Sequence, residues 1–385
     1  MLSRCPLCAQ PGAPVFLRRM QVPVHQNLVM ASEAEARGVA RGDLAMAACG
    51  HCGFVYNAAF DPARMHYSED YDNTQGCSGV FARHMEALAE HLVNERGVRD
   101  ASIVEIGCGK GDFLRLLIER HPGNSGIGFD PSYAGALSAL GGRLQFEQRN
   151  YGPQCAGLKA DVVVCRHVIE HVPQPLELLG AVKAALQQAP QARLFFETPC
   201  VDWILRHGVI WDFFYEHCSL FSAASLAQAF RGAGLRVGAV RHLFEGQYLW
   251  LEASLAGSDD FVALRGTPTP ELATRFASQF DASVTQWSAR MAQLRREGRV
   301  AIWGAGAKGA TFVELVDRGR ERIDCVVDIN PNKQGRYIPG SGHPIVAPRE
   351  LAGRGVAAAV MMNPNYLAEA EAYLTREGIA TRLLI

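Results

Sequence analysis

The sequence predicts an α/β protein with two nucleotide-binding-type units and a small cysteine-rich module. Strand-like apolar runs alternate with amphipathic helices over residues 61–255 and again over residues 299–385, which is the pattern of parallel α/β units. Each of these regions contains a glycine-rich loop directly after a strand. Two Cys-x-x-Cys pairs lie within residues 1–60. We therefore expect a cysteine module, a larger α/β domain and a smaller α/β domain, in that order.

The composition is that of a globular protein with a hydrophobic core. In the 385-residue chain 48% of residues are hydrophobic and 20% are charged, and the length predicts two or three domains. The formal net charge of −1 lacks the basic excess of a general nucleic-acid binder. No apolar run is long enough to span a bilayer, and the first residues lack a secretion signal. We therefore expect a cytoplasmic protein that binds neither nucleic acid nor membrane, and the oligomeric state stays open.

A connecting segment is predicted over residues 256–298, between the two α/β regions. Apolar residues recur every three or four positions from Leu272 to Leu294, which gives one apolar face of a long helix. Thr269 suits the N-cap of this helix and Gly298 suits its end. We expect the helix to pack against a neighbouring domain.

The cysteine pairs predict one structural zinc site. Two thiolates three positions apart can hold one tetrahedral ion, and two such pairs complete a four-cysteine site. The long chain between the pairs does not exclude this site, because the entropic cost of loop closure grows only logarithmically with length. Four thiolates leave no open position for catalysis, and the alternative is two unrelated pairs of free thiols. The predicted ligands are Cys5, Cys8, Cys49 and Cys52.

The first glycine-rich loop joins a buried strand to a helix. Gly107, Gly109 and Gly111 allow the backbone to approach a ligand closely. Glu105 lies at the end of the strand, and Asp130 ends the next strand, where an acid suits a ribose diol. This Glu-x-Gly-x-Gly-x-Gly arrangement resembles motif I of class I S-adenosylmethionine methyltransferases, which implies that Asp130 holds the ribose of that methyl donor. The alternative is a purely structural strand–turn–helix.

Further candidate contacts of the methyl donor lie on other segments. His167 and His171 belong to a segment that resembles the methyltransferase loop beside the active site, where either can act as a base or only shape the loop. Asn150 follows the third strand, where such enzymes usually hold adenine. Another group precedes the first long helix of the domain, where such enzymes often cover the methionine end of the donor. This group contains Tyr71, Gln75 and Ser78.

A cluster of titratable residues in an aromatic setting is predicted to carry the chemistry. Tyr215, Glu216 and His217 are consecutive, and Glu197 ends an earlier strand. Aromatic surroundings exclude water and shift pKa values, and histidine is the natural proton acceptor near neutral pH. The alternative for His217 is a core histidine that pairs with a neighbour.

The whole chain resembles the sugar C-methyltransferases that act on nucleotide-linked keto-deoxysugars. The resemblance rests on the two cysteine pairs, on Glu-His-x-Ser-x-Phe-Ser from Glu216, and on Asp-Ile-Asn-Pro-Asn-Lys-Gln-Gly-Arg-Tyr-Ile-Pro-Gly from Asp328. It implies a four-cysteine zinc module, a class I methyltransferase core and a C-terminal Rossmann-like unit. It also implies that His217 is the general base and that Glu216 and Glu197 line the site. The family commonly has Tyr-His-Glu-His here, whereas this chain has Phe214 at the tyrosine position.

The second glycine-rich loop predicts nucleotide binding in the smaller α/β unit. Gly304 and Gly306 begin a Gly-x-Gly-x-x-Gly pattern between a strand and a helix, which by itself indicates NAD. The unit is long enough for one mononucleotide-binding half and too short for two. One half can bind a diphosphate at its helix N-terminus, with positive charge from Lys308, Lys333 and Arg336. The resemblance likewise implies that this unit holds the nucleotide end of the acceptor.

The sequence thus predicts a C-methyltransferase that uses S-adenosylmethionine and acts on a nucleotide diphosphate sugar or a similar ketone. His217 removes a proton beside the carbonyl, the enolate attacks the donor methyl group, and Tyr215 or an imidazole stabilises the enolate oxygen. O- or N-methylation of a non-sugar small molecule stays an alternative. A further alternative is an NAD-dependent oxidoreductase, which only the second glycine-rich loop supports.

Overall fold

The N-terminal part of the chain forms an antiparallel four-stranded sheet in the computed structural model, which describes residues 4–65, 76–155, 157–187, 189–263 and 266–385. Three strands come from the cysteine module, and the fourth comes from the middle of the chain. The sheet therefore ties the module to the larger domain. In sheet order its strands are β1 (Val15–Pro23), β2 (Arg41–Ala48), β3 (Val55–Asn57) and β10 (Ser219–Leu220), and helix α1 is Glu33–Arg37.

The middle of the chain forms an eight-stranded sheet whose five central strands are parallel. Alternate residues of its first parallel strand enter two separate cores, as Ile103 and Val104 do, because helices cover both faces. In sheet order the strands are β11 (Arg236–Leu243), β12 (Tyr248–Ser254), β9 (Arg193–Pro199), β8 (Val162–Arg166), β4 (Ser102–Ile106), β5 (Ser125–Phe129), β7 (Leu144–Glu147) and β6 (Ser138–Ala139). The helices are α2 (Gly79–Glu90), α3 (Asp112–Arg120), α4 (Pro175–Leu186), α5 (Val201–Arg206) and α6 (Ala223–Gly232).

The C-terminal part forms a parallel five-stranded sheet. Its strand order reverses beside the first strand, which is where open α/β sheets bind ligands. In sheet order the strands are β15 (Ile345–Val346), β14 (Ile323–Val327), β13 (Arg299–Trp303), β16 (Val356–Met361) and β17 (Arg382–Leu384). The helices are α8 (Ala307–Val316), α9 (Glu350–Arg354) and α10 (Leu367–Arg376). The predicted fold class, an α/β core with a cysteine module and a second, smaller Rossmann-like domain, is confirmed.

The predicted connecting helix is α7 (Thr269–Glu297). Pro268 is its N-cap instead of the predicted Thr269, whose hydroxyl donates to Asp202 at 2.8 Å and does not cap the helix. The first half of its apolar face packs in one core with residues of the N-terminal sheet, and the second half packs in the core of the C-terminal domain. Helix α7 therefore bridges the cysteine module and the C-terminal domain. Across the described ranges, no helix has the length and apolar composition needed to cross a membrane.

Candidate active site

A cavity of about 570 Å³ lies in the middle domain at the carboxyl ends of the parallel strands, and we call it the core cavity. This is the edge at which such sheets bind ligands. The residues predicted to hold the methyl donor meet here from separate segments. They include Glu105, Gly107, Gly109, Asp130, Asn150, His167 and His171, which all line the cavity.

The glycines of the first loop are required by backbone conformation and by space. Gly107 and Gly111 have φ values of +69° and +84°. A Cβ atom would collide with Val168 at Gly107 and with Phe146 at Gly111. Larger residues at these positions therefore cannot form the loop without displacing Val168 or Phe146.

Two acids accept hydrogen bonds from the backbone of this loop and of the helix that follows it. Asp130 Oδ2 accepts a hydrogen bond from the backbone of Gly109 at 2.9 Å, and its Oδ1 accepts from the hydroxyl of Ser132 at 2.6 Å. Glu105 is buried and accepts from the backbone of Leu114 at 3.1 Å. Burial raises the pKa of Glu105 to about 8, so a cationic ligand in the cavity would favour its charged form.

A second cavity of about 850 Å³ lies between the middle domain and the C-terminal domain, and we call it the interdomain cavity. Four of the five predicted acceptor-binding residues line it: Gly304, Gly306, Lys308 and Lys333. Arg336 is exposed and lies outside the lining of both cavities, so the prediction for this residue needs correcting. It follows the buried Lys333 by three positions on a surface turn.

The carboxylate of Asp328 repeats the geometry of Asp130. It follows β14, lines the interdomain cavity, and accepts from the backbone of Ala305 at 2.8 Å and of Asn330 at 2.8 Å. Gly304 has a φ of +115°, which brings the loop backbone close to this acid. Both α/β units therefore place an acid beside a glycine-rich loop, as a ribose site requires.

Polar contacts between the two domains fix the walls of the interdomain cavity. Lys308 Nζ donates to Asp212 at 2.7 Å. The side-chain amides of Gln247 and Asn363 donate to each other at 3.0 and 3.1 Å, and both residues are buried. Sequence reasoning missed these partners because they are far apart in the chain and no local motif marks them.

Three histidines lie where the two cavities meet. His167 lines both cavities, His171 lines the core cavity, and His217 lines the interdomain cavity. The rings of His171 and His217 are perpendicular, with centroids 4.8 Å apart. Phe214 lines the interdomain cavity, and its ring centroid is 4.1 Å from that of His217. The three imidazoles therefore lie between or beside the two cavities.

The environment gives two of these histidines opposite charge states. His167 has a φ of +53° and lies between Glu170 and Glu197, each 3.4 Å from one of its ring nitrogens. The two carboxylates outweigh burial and raise the pKa of His167 to about 9. Burial and electrostatic interaction with His171, His167 and Lys308 hold the pKa of His217 well below its usual value. At neutral pH the site therefore contains a cationic and a neutral imidazole.

The two predicted catalytic glutamates position other groups and do not line either cavity. Glu197 is buried, and it binds His84 at 2.5 Å and the Nε atom of Arg166 at 2.8 Å. Glu216 is also buried, and its Oε2 accepts from the backbone of Gln26 at 2.9 Å. The implied place of both glutamates in the cavity lining needs correcting, because burial directs their carboxylates to protein partners.

Tyr215 points away from the site and packs in the core of the cysteine module. Its hydroxyl accepts from the backbone of Asp61 at 2.9 Å, and its ring lies against Gly42 and Phe60. The prediction that Tyr215 stabilises an oxyanion therefore needs correcting. Consecutive residues of an irregular segment point in different directions, so neighbours of His217 in sequence need not share its cavity.

The prediction that Ser78 contacts the methyl donor also needs correcting. It lines the interdomain cavity and not the core cavity, where a donor contact would lie. Its hydroxyl donates to Glu369 of the C-terminal domain at 2.6 Å and accepts from the first turn of α2. Tyr71 and Gln75 lie outside the residues that the structure describes.

Replacing Tyr215 by phenylalanine tests its structural role. We expect turnover to stay at the wild-type value and the free energy of unfolding to fall by about 1 kcal/mol, since the hydroxyl no longer accepts from and donates to the backbone of Asp61. Steady-state kinetics and denaturant unfolding measure the two effects. A large fall in turnover with unchanged stability would show that Tyr215 takes part in the reaction.

The four predicted zinc ligands form one cluster. Their sulfurs lie within 4.8 Å of one another, with Cys5 and Cys52 at 3.7 Å and Cys8 and Cys49 at 3.5 Å. A tetrahedral ion with Zn–S distances of about 2.3 Å sets its sulfurs about 3.8 Å apart. Gly53 turns the second pair with a φ of +72°. The donor set therefore fits a four-coordinate structural zinc ion.

Two family models match the chain. A model described as a methyltransferase domain matches residues 81–240. A model described as a C-methyltransferase C-terminal domain matches residues 263–378. The first match covers the core cavity and the second covers the C-terminal wall of the interdomain cavity.

Curated and solved proteins are similar to this chain over different lengths. The C-methyltransferase NovU of Streptomyces niveus is 29% identical over 313 residues, which are 76% of this chain and 73% of NovU. A ubiquinone biosynthesis O-methyltransferase of Colwellia psychrerythraea is 29% identical over 127 residues, 31% of this chain and 50% of that enzyme, so the match spans half of that relative. A solved O-methyltransferase family protein from Burkholderia thailandensis is 22% identical, with 45% of this chain and 55% of that chain covered and a TM-score of 0.36.

Proposed function

We propose that this chain, which belongs to the S-adenosylmethionine-dependent methyltransferases and carries a C-methyltransferase C-terminal domain, methylates a carbon beside the ketone of a nucleotide-linked keto-deoxysugar. One observation carries the proposal. His217 in the interdomain cavity faces the core cavity across His171, with 4.8 Å between the ring centroids. The similarity to NovU supports transfer to carbon.

Each of the two cavities binds one of the two substrates in this proposal. S-adenosylmethionine occupies the core cavity, with its ribose at Asp130 and its methyl group directed toward the interdomain cavity. The acceptor occupies the interdomain cavity, whose volume of about 850 Å³ lies within the range of known ligand sites. Binding both molecules in fixed orientations makes the methyl transfer effectively unimolecular.

His217 is the proposed general base. Its lowered pKa keeps the imidazole neutral at physiological pH, so it can take the proton from the carbon beside the carbonyl. The carbanion carbon then forms a bond to the donor methyl group while the carbon–sulfur bond breaks, which leaves S-adenosylhomocysteine. His217 afterwards releases the proton to solvent.

His167 replaces Tyr215 as the candidate that stabilises the enolate oxygen. It is cationic below a pKa of about 9 and lines both cavities, so its charge can act where negative charge develops. Glu170 and Glu197 hold the ring from both sides. The buried aromatic neighbours of this site exclude water from the enolate.

The C-terminal domain is proposed to hold the nucleotide of the acceptor. The N-terminus of α8 follows the Gly304 loop, and a diphosphate would bind to its backbone N–H groups other than that of Ala307, which donates to Asn27. Lys308 adds a positive charge at this helix start, and Asp328 suits the ribose. A zinc ion held by the four cysteines would stabilise the N-terminal module and supply no catalytic position.

A labelled donor tests the proposal. S-adenosylmethionine with a ¹³C methyl group is incubated with the protein and a nucleoside diphosphate keto-deoxysugar, and the product is examined by NMR. We expect the labelled methyl carbon bonded to a sugar carbon. A methyl group on oxygen or nitrogen would contradict the proposal. So would the absence of methyl transfer together with tight NAD(H) binding in a parallel titration.

Asp328→Asn should weaken binding of the nucleotide sugar and leave binding of S-adenosylhomocysteine unchanged.

A further inference from the structure

Arg166 is a buried cation at the last position of β8, and the chemistry described so far does not use it. Its side chain is 7% exposed, and it lines the core cavity but not the interdomain cavity. The guanidinium lies over the ring of Phe113 at 4.4 Å and near that of Phe81 at 5.9 Å. Aromatic rings and strand position therefore fix the plane of the guanidinium beside the methyl-donor site.

The described residues leave part of this guanidinium without a hydrogen-bond acceptor. Its Nε donates to Glu197 Oε2 at 2.8 Å. Its Nη2 is buried and has no hydrogen-bond partner within the described ranges. The other oxygen of Glu197, Oε1, binds His84 at 2.5 Å. A buried guanidinium N–H without an acceptor is costly in the folded state, so its retention points to a ligand that supplies the acceptor.

The methyl donor carries one anionic group, the α-carboxylate of its methionine part. Its sulfonium and ammonium groups are cationic, and its ribose is neutral. Asp130 marks the ribose end of the core cavity, and Arg166 comes from a different strand that leads to the junction histidine His167. Arginine is well suited to a carboxylate because its N–H groups form a planar fork.

We propose that Arg166 binds the α-carboxylate of S-adenosylmethionine through its Nη2 edge. Glu105 lines the same cavity and is in electrostatic contact with Arg166, so the zwitterionic methionine end meets one protein group of each sign. This inference depends on the identity of the methyl donor alone. The test of this inference does not depend on the identity of the acceptor.

The test compares two donors that differ only in this carboxylate. Calorimetry measures the affinity of the full-length protein for S-adenosylmethionine and for decarboxylated S-adenosylmethionine. We expect the wild type to prefer the carboxylated ligand by about 10- to 100-fold, as one charge-assisted hydrogen bond predicts. Arg166→Met should abolish the preference by weakening only the carboxylated ligand, and Arg166→Lys should restore part of it.

Lys110→Met is the matched control. Lys110 is another cation of the core cavity, but its Nζ donates to the backbone of Ser132 at 3.4 Å, beside the ribose acid Asp130. We expect this variant to keep the preference for the carboxylated ligand. Equal affinity of the wild type for both ligands would overturn the proposal even if Arg166→Met fails to fold. A folded Arg166→Met that keeps the preference would overturn it as well.

Discussion

Replacing His217 by asparagine is expected to lower turnover by about 10²- to 10⁴-fold, the usual contribution of a general base. Asparagine keeps a polar side chain of similar size and cannot accept the proton. Within the described residues, Nδ1 of His217 is buried and has no hydrogen-bond partner. The substitution therefore breaks no hydrogen bond of that atom. We therefore expect the fold and the affinity for S-adenosylhomocysteine to be unchanged.

The step that His217 performs can be measured without a methyl donor. In D₂O the wild type should exchange the acceptor hydrogen beside the ketone for deuterium, and His217→Asn should not. The wild-type exchange should persist as the pH falls through 6.5, because burial, His171, His167 and Lys308 keep the pKa of His217 below that value. Protonation of the base then stops exchange only at lower pH.

His121→Asn is the matched control for this experiment. His121 follows helix α3 and lies outside the lining of both cavities, so its loss should leave exchange unchanged. Exchange that persists in His217→Asn would move the base to another residue. His171, whose ring faces His217 across the junction, would then be the next candidate.

The parts of the site that the sequence predicts are those encoded by short local patterns. Glu105, the glycine loop and Asp130 belong to one strand–loop–helix–strand unit, and local backbone geometry brings them to one edge of the sheet. Each cysteine pair is likewise a short local motif, and the four thiols form one cluster.

The corrected residues depend on contacts that no local pattern contains. Tyr215 turns toward Asp61 because β10 joins the N-terminal sheet, and Ser78 binds Glu369 because the C-terminal domain packs on helix α2. The role of Arg166 cannot be predicted from a local pattern for the same reason. Its unsatisfied Nη2 can be recognised only once Glu197, on the next strand β9, is found to bind its Nε.

Removal of zinc is expected to unfold the N-terminal module. Binding of zinc to a four-cysteine site contributes about 10–16 kcal/mol of apparent free energy in small zinc-dependent domains, more than a sheet of this size gains by packing alone. Cys49→Ala removes one ligand and leaves three thiols around the ion. We expect loss of bound zinc and a first unfolding transition at much lower denaturant concentration than in the wild type.

The same change should also affect the active site, although none of the four predicted zinc ligands lines either cavity. The module supplies Gln26, whose backbone holds Glu216 next to His217. It also supplies Asn27, which lines the interdomain cavity and accepts from the backbone of Ala307 at 3.0 Å. Loss of the module would therefore free the segment that carries the base and open one wall of the acceptor site.

Elemental analysis, denaturant unfolding and the D₂O exchange assay measure these effects together. The wild type should contain one zinc ion per chain, and Cys49→Ala should contain none and exchange poorly. Cys325→Ala is the matched control, because this buried cysteine lies in β14 of the C-terminal sheet and belongs to no cluster of metal-ligating residues in the described ranges. A Cys49→Ala protein with wild-type zinc content and wild-type exchange would show that the four thiols do not form a structural metal site.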